Sequence, residues 1–174
     1  MRRATDAERE RLHETFAALC RIESPSGHER ACADWVRDEL TGMGLEVDED
    51  DVAERIGSDA GNLLARIPGR RGSDGVLLCA HLDTVPLTAP VEPVCVNGGW
   101  ENAGQGILGA DNKSAVAIIL EVARRVTSGG DGPPPVGVEL LFERLADRDA
   151  PARTKVLPVE LVVRESAGPP PAGR

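Results

Sequence analysis

The 174-residue chain contains no tyrosine, and Phe16, Phe142, Trp35 and Trp100 are its only large aromatics. Its core must therefore rest on Leu, Val, Ile and Ala, within an apolar fraction of 41% that argues against wholesale disorder. No run of about 18 apolar residues occurs, so no membrane-spanning helix is predicted. Nor does an apolar segment follow the basic start Met1-Arg2-Arg3, so a secretory signal peptide is not expected and the cytoplasm is the expected compartment. Basic residues are in the minority, 20 Lys+Arg against 29 Asp+Glu for a formal charge of -9, which argues against a general nucleic-acid or anionic-membrane surface. The four cysteines, Cys20, Cys32, Cys79 and Cys95, form no C-x-x-C pair. Buried, reduced thiols are expected rather than the disulfide framework of a small secreted chain. A phosphate-binding G-x-x-x-x-G-K-[ST] is missing, and Gly104-x-Gly106 opens no dinucleotide signature, so nucleotide binding has no support.

What is present reads as an α/β chain. Thr5-x-x-Glu8 has the form of a capping box, with Leu12, Phe16 and Leu19 at helical spacing behind it, and predicts a helix over about 6–21. Ser24-Pro25-Ser26-Gly27 breaks that helix. Ser26-x-x-Glu29 predicts a second capping box, opening a helix that carries Cys32, Trp35, Val36, Leu40 and Met43 and ends near Gly42 or Gly44. Short β-like runs follow at 45–47, 62–67 and 76–80. Residues 84–110, rich in Pro and Gly, read as a long loop. Residues 113–123 read as a helix apolar most of the way round and sandwiched between layers, and 136–142 as a buried strand.

The chemistry-bearing residues cluster around the third β-like run. His81-Leu82-Asp83 follows directly on it, and an extension of the strand by alternation places His81 and Asp83 on one side, at the carboxyl end of a sheet strand where open α/β folds build their sites. A neutral imidazole suits zinc, and a carboxylate nearby can hold its other ring N–H. The same two residues also fit a capped turn and an ordinary hydrogen-bonded histidine. Asp111 lies at the mouth of the apolar helix, where exposed N–H groups favour a carboxylate, either as a plain N-cap or as a ligand. His13 and His28 are expected to face solvent, and Lys113 is expected to be a surface lysine.

With these residues placed, the chain resembles the amino-terminal part of the M20 family of zinc-dependent peptidases and deacylases, its tripeptide-aminopeptidase-like members in particular. The resemblance runs through Ile22-Glu23-Ser24-Pro25-Ser26-Gly27-His28-Glu29, Gly61-Asn62-Leu63-Leu64-Ala65, His81-Leu82-Asp83-Thr84-Val85-Pro86, Leu108-Gly109-Ala110-Asp111-Asn112-Lys113 and Gly137-Val138-Glu139-Leu140-Leu141-Phe142, and covers about 1–142. It implies an incomplete α/β catalytic domain with a central mixed sheet flanked by helices, the dimerisation or lid domain being absent. His81 would be a metal ligand and Asp111 a metal ligand bridging two zinc ions. Asp83 would belong to the catalytic machinery by orienting His81, and the bond between Asp111 and Asn112 matches one that is often cis in the family.

The resemblance also implies a two-zinc hydrolase of short peptides, aminopeptidase-like, or of acylated amino acids, with homo-oligomers formed by the complete enzyme. After Phe142 the family continues with a Glu-Glu pair, base then ligand. Here Glu143 comes too early, and neither Asp147 nor Asp149 stands at that spacing. Two protein ligands remain where a dinuclear site wants about six, so useful metal affinity of this chain alone is not expected. Charge balance shifts at the same point: residues 1–143 hold 14 basic against 25 acidic side chains, and residues 144–174 hold 6 against 4. The expectation is a partial metallopeptidase catalytic domain over 1–143 and an atypical tail over 144–174, disordered or translated out of frame. The chain would then be inactive alone, the alternatives being a non-catalytic α/β fragment or binding module, or an N-acyl amino acid deacylase-like hydrolase if complete.

Overall fold

The computed structural model describes residues 3–70, 75–86, 90–129 and 132–143. Asp147, Asp149 and the atypical tail expected over 144–174 lie outside these described residues.

Helix α1, Asp6–Arg21, starts where its capping box requires. The Thr5 hydroxyl accepts from the Glu8 N–H at 3.2 Å while the Glu8 carboxylate accepts from the Thr5 N–H at 2.6 Å, satisfying two otherwise unpaired donors. Helix α2, Arg30–Gly42, does not use the capping box expected at Ser26 and Glu29. Glu29 is itself the N-cap residue and makes no side-chain cap bond. Its buried carboxylate accepts instead from the Gly27 N–H at 2.7 Å and the Ser58 hydroxyl at 2.8 Å.

Strand β1, Val47–Glu49, a short helix α3, Val52–Ile56, and strands β2, Leu63–Ile67, and β3, Gly75–His81, come next. A hairpin of β4, Pro93–Val96, and β5, Gly99–Asn102, occupies the stretch read from sequence as loop. Its turn carries Asn97 and Gly98 at φ 52° and 80°, the left-handed pair that an Asn-Gly turn supplies. Helix α4, Ala110–Thr127, and β6, Gly137–Glu143, complete the set.

The main sheet runs β1-β2-β6-β3. β2 pairs antiparallel with β1 and β6, whereas β3 pairs parallel with β6, so the sheet is mixed as expected. Alternation sends Leu63, Ala65 and Ile67 of β2, and Val138, Leu140 and Phe142 of β6, into one core with Leu19, Val36, Leu40, Val116 and Leu120 of the helices. The opposite sheet face carries Leu77, Cys79 and His81 beside Glu139, Leu141 and Glu143.

Three sequence expectations change here. Helix α4 is not sandwiched between layers on every side, since the apolar Ile118 is 53% exposed, and its core contacts lie toward α1 and β3. Cys20 and Cys32 are buried, but Cys79 and Cys95 are exposed; all four are free. Lys113, expected at the surface, is wholly buried and donates from Nζ to the Ile22 carbonyl at the end of α1. Burial holds its ammonium below the ordinary lysine range.

Glu49 ties β1 to α2. Its carboxylate accepts from Arg30, Arg37 and the Gly61 N–H, the last at 2.7 Å. Gly61 must be glycine for this approach, because a Cβ there would stand 2.2 Å from the Asp50 carbonyl. The Arg30 hydrogen bond, aided by that of Gly61, holds Glu49 below the usual carboxylate range. A depressed folded-state value stabilises the protein above the unfolded value of about 4.3 and is lost as pH falls through the folded one. Glu49→Gln is therefore expected to lose about 1–2 kcal/mol at neutral pH, a gap that closes on acidification, as urea unfolding at a series of pH values would measure.

Candidate metal centre

The site forms where β3 ends. His81 is the last residue of β3, paired in register with Glu143 at the end of the parallel strand β6. The strand stops there, so Asp83 is not carried on it as extension by alternation had predicted. A loop clip positions Asp83 instead. The Ser24 hydroxyl donates to the Leu82 carbonyl at 2.8 Å, the Thr84 N–H donates to the Ser24 carbonyl at 2.8 Å, and the Ser26 hydroxyl donates to Asp83 Oδ2. Asp83 is thereby buried, 4% exposed, with its other oxygen 3.1 Å from His81 Nδ1.

His81 Nδ1 also lies 3.0 Å from the Asp83 main-chain carbonyl. A carbonyl oxygen only accepts, so Nδ1 carries a ring proton and Nε2 of the neutral ring presents its lone pair outward. That lone pair faces Asp111 Oδ1 at 3.3 Å. Two acceptors so placed need a cation, or a second ring proton, between them. Zinc bonds of about 2.0–2.2 Å at a tetrahedral angle separate two donors by about 3.3–3.5 Å, so the pair has the spacing of two ligands to one ion. Among the described residues no group of three or more His, Cys, Asp or Glu is gathered for a metal, so what is assembled is one part of a ligand set.

Asp111 arrives from the start of α4. Asp111 and Asn112 depart from helical φ/ψ and the bond between them is cis. Asp111 therefore stands at a kink near the start of α4, and no side chain caps the Gly109 end of the helix. Its side chain is 94% exposed, leaving the carboxylate open to further ligands.

His28 and His13 face solvent as expected; His13 stacks edge-on against Trp100 at 5.8 Å. Cys79 donates to Glu143 Oε1 at 3.2 Å, and although the residue is exposed its thiol is pushed up to about 11, first by partial desolvation of the sulfur and then by that carboxylate. It therefore stays a thiol at neutral pH, a poor nucleophile and ligand. Sequence reasoning missed Ser26, because Ser-x-x-Glu reads as a helix start, and missed Glu143 as the register neighbour of His81.

A family model described as peptidase family M28 matches residues 62–144. The uncharacterized protein YqjE of Bacillus subtilis is 34% identical over 114 residues, covering 66% of this chain and 31% of its own length. The cytosol non-specific dipeptidase of Escherichia coli is 33% identical over 124 residues, covering 64% of this chain and 24% of its own. A tripeptidase from Staphylococcus aureus superposes with a TM-score of 0.69 at 28% identity, over 76% of this chain and 35% of that one. The chain thus has the mixed α/β fold of a peptidase catalytic domain while spanning about a quarter to a third of these relatives. The matching family model carries the M28 name, whereas the motifs resemble M20.

Because the Ser26 hydroxyl is a partner of a buried carboxylate, Ser26→Ala is expected to cost about 1–2 kcal/mol in chemical denaturation. In Asp83→Ala the main-chain carbonyl of residue 83 stays against Nδ1, so the Nδ1–H form of His81 is expected to persist, which imidazole ¹⁵N shifts read directly.

Proposed function

We propose that this chain is the amino-terminal, metal-binding part of a zinc-dependent peptidase of the M20 type acting on short peptides, aminopeptidase-like, in the cytoplasm. The observation that carries the reading is the 3.3 Å convergence of His81 Nε2 and Asp111 Oδ1 from two different elements, with Asp83 behind the ring. The names of the dipeptidase and tripeptidase relatives support the substrate class. Among the described residues no helix is long and apolar enough to cross a membrane.

In this reading His81 and Asp111 would hold zinc. When bound, the metal supplies Lewis acidity toward a peptide carbonyl and a water acidic enough to ionise near neutral pH. Asp83 is a positioning residue: it fixes the ring proton on Nδ1 and so keeps Nε2 free to bind. Ser26 holds Asp83 in turn. Proton transfer from the water needs a carboxylate within reach of it. Residues 143–151 do not offer the Glu-Glu pair of the family, and Glu143 is engaged with the Cys79 thiol. We therefore take 1–143 as a partial catalytic domain, 144–174 as a tail read out of frame, and the chain alone as inactive.

Zinc titration against a chromophoric chelator is expected to find one weakly held ion per chain. His81→Ala and Asp111→Ala should each weaken it at least tenfold, and Asp83→Asn about tenfold through lost orientation. Zinc affinity equal in all four proteins would sink the reading. The tail is tested at the gene: sequencing from the codon for Gly137 onward, in all three frames, should recover a Glu-Glu pair, a later acidic ligand and a distal histidine after a single-base correction. A coding sequence with no such continuation in any frame would overturn the out-of-frame assignment.

A further inference from the structure

Val85 and Ile107 are two of six large apolar side chains left exposed among the described residues, at 63% and 48%. They do not lie apart as isolated surface residues do. Both line a recess of about 290 Å³ whose remaining walls are Thr84, Leu108, Gly109, Ala110 and Asp111. Asp111 is thus at once a wall of the recess and half of the convergent pair with His81.

We propose that this recess receives an apolar side chain of the peptide substrate, the one next to the bond held at His81 and Asp111. The assignment rests on the metal reading for the position of that bond, and on the recess itself for the side-chain class. A volume near 290 Å³ falls just below the roughly 300–1,000 Å³ of small-molecule sites, which suits one side chain rather than a whole ligand. Apart from Asp111 the lining is uncharged, so an anionic side chain entering between Val85 and Ile107 would lose hydration without gaining a partner, and a cationic one would find only the carboxylate that the metal reading already engages. An anionic one would also meet the Asp111 carboxylate. An aliphatic chain instead covers two apolar surfaces that water now wets.

A second apolar recess of about 250 Å³, lined in part by Phe16, Trp100 and Ile118, shares Leu108 and Ala110 with the first but not Asp111. It is the competing destination for the same chemistry, and the experiment separates the two.

Metal-free protein is titrated with L-leucinamide and with glycinamide, and backbone ¹H–¹⁵N shifts are followed. Both ligands carry the same ammonium and amide, so any difference belongs to the isobutyl group. Leucinamide should bind about tenfold more tightly and should move Val85, Ile107, Gly109 and Ala110. The double variant Val85→Ser/Ile107→Ser should reduce the preference to within twofold, while Ile107→Leu should retain it. Equal binding of the two ligands, shifts centred on Phe16 and Trp100, or a preference that survives the double serine variant would each overturn the proposal. Loss of zinc binding with the leucinamide preference intact would instead count against the metal reading alone, and zinc bound without any preference would count against the recess alone.

Discussion

The hydrogen bond from the Ser26 hydroxyl to the Asp83 carboxylate sets the geometry on which the candidate site depends. Asp83 lies two residues beyond the last strand position, one residue past the last bond to β6, from the Leu82 N–H to the Glu143 carbonyl. The loop between α1 and α2 decides where its side chain points, by donating from Ser24 and Ser26 and accepting at the Ser24 carbonyl. With the carboxylate and the main-chain carbonyl of Asp83 both against Nδ1, the ring proton has one place to be. In the neutral ring the lone pair on Nε2 then faces Asp111.

The same loop also fixes the other half of the site. Lys113, one turn into α4, reaches back to the Ile22 carbonyl, the residue that caps α1. Burying an ammonium is costly unless it is hydrogen-bonded, and that contact commits the first turn of α4 to the end of α1. Asp111 stands just ahead of it, off the helical path, with its carboxylate left outside. Residues 22–26 therefore anchor both segments whose side chains meet at 3.3 Å, although His81 and Asp111 are separated by thirty positions in the chain.

This arrangement explains what could be read from the residues alone. The bounds of α1 and the buried strands were legible because capping and alternation are local signals. His81, Asp83 and Asp111 stood out because each adjoins an element end, where polar side chains in an apolar context need a reason. Ser26 and Glu29 misled because the pattern for a capping box is also the pattern for two separate tertiary contacts, and local sequence cannot choose between them. Lys113 misled for a similar reason: only the closeness of α1 and α4 provides a carbonyl that makes its burial tolerable. The β4–β5 hairpin was signalled by Asn97-Gly98, but the surrounding prolines and glycines outweighed that cue.

The site divides sharply into two kinds of surface, and the division constrains what can occupy it. On one side stand the outward lone pair of His81 and an exposed carboxylate, a pairing that only positive charge relieves. On the other, within the reach of Asp111, the walls are aliphatic or backbone, with Val85 and Ile107 left partly in water. A ligand that satisfies both must be polar or metal-bound at one end and aliphatic at the other, over the length of about one residue. The sheet face below adds no competing charge attraction through its thiol, since Cys79 keeps its proton and engages Glu143. A cationic or metal-bound group that carries a neutral aliphatic side chain meets these demands together, whereas a phosphate or a purely apolar molecule does not.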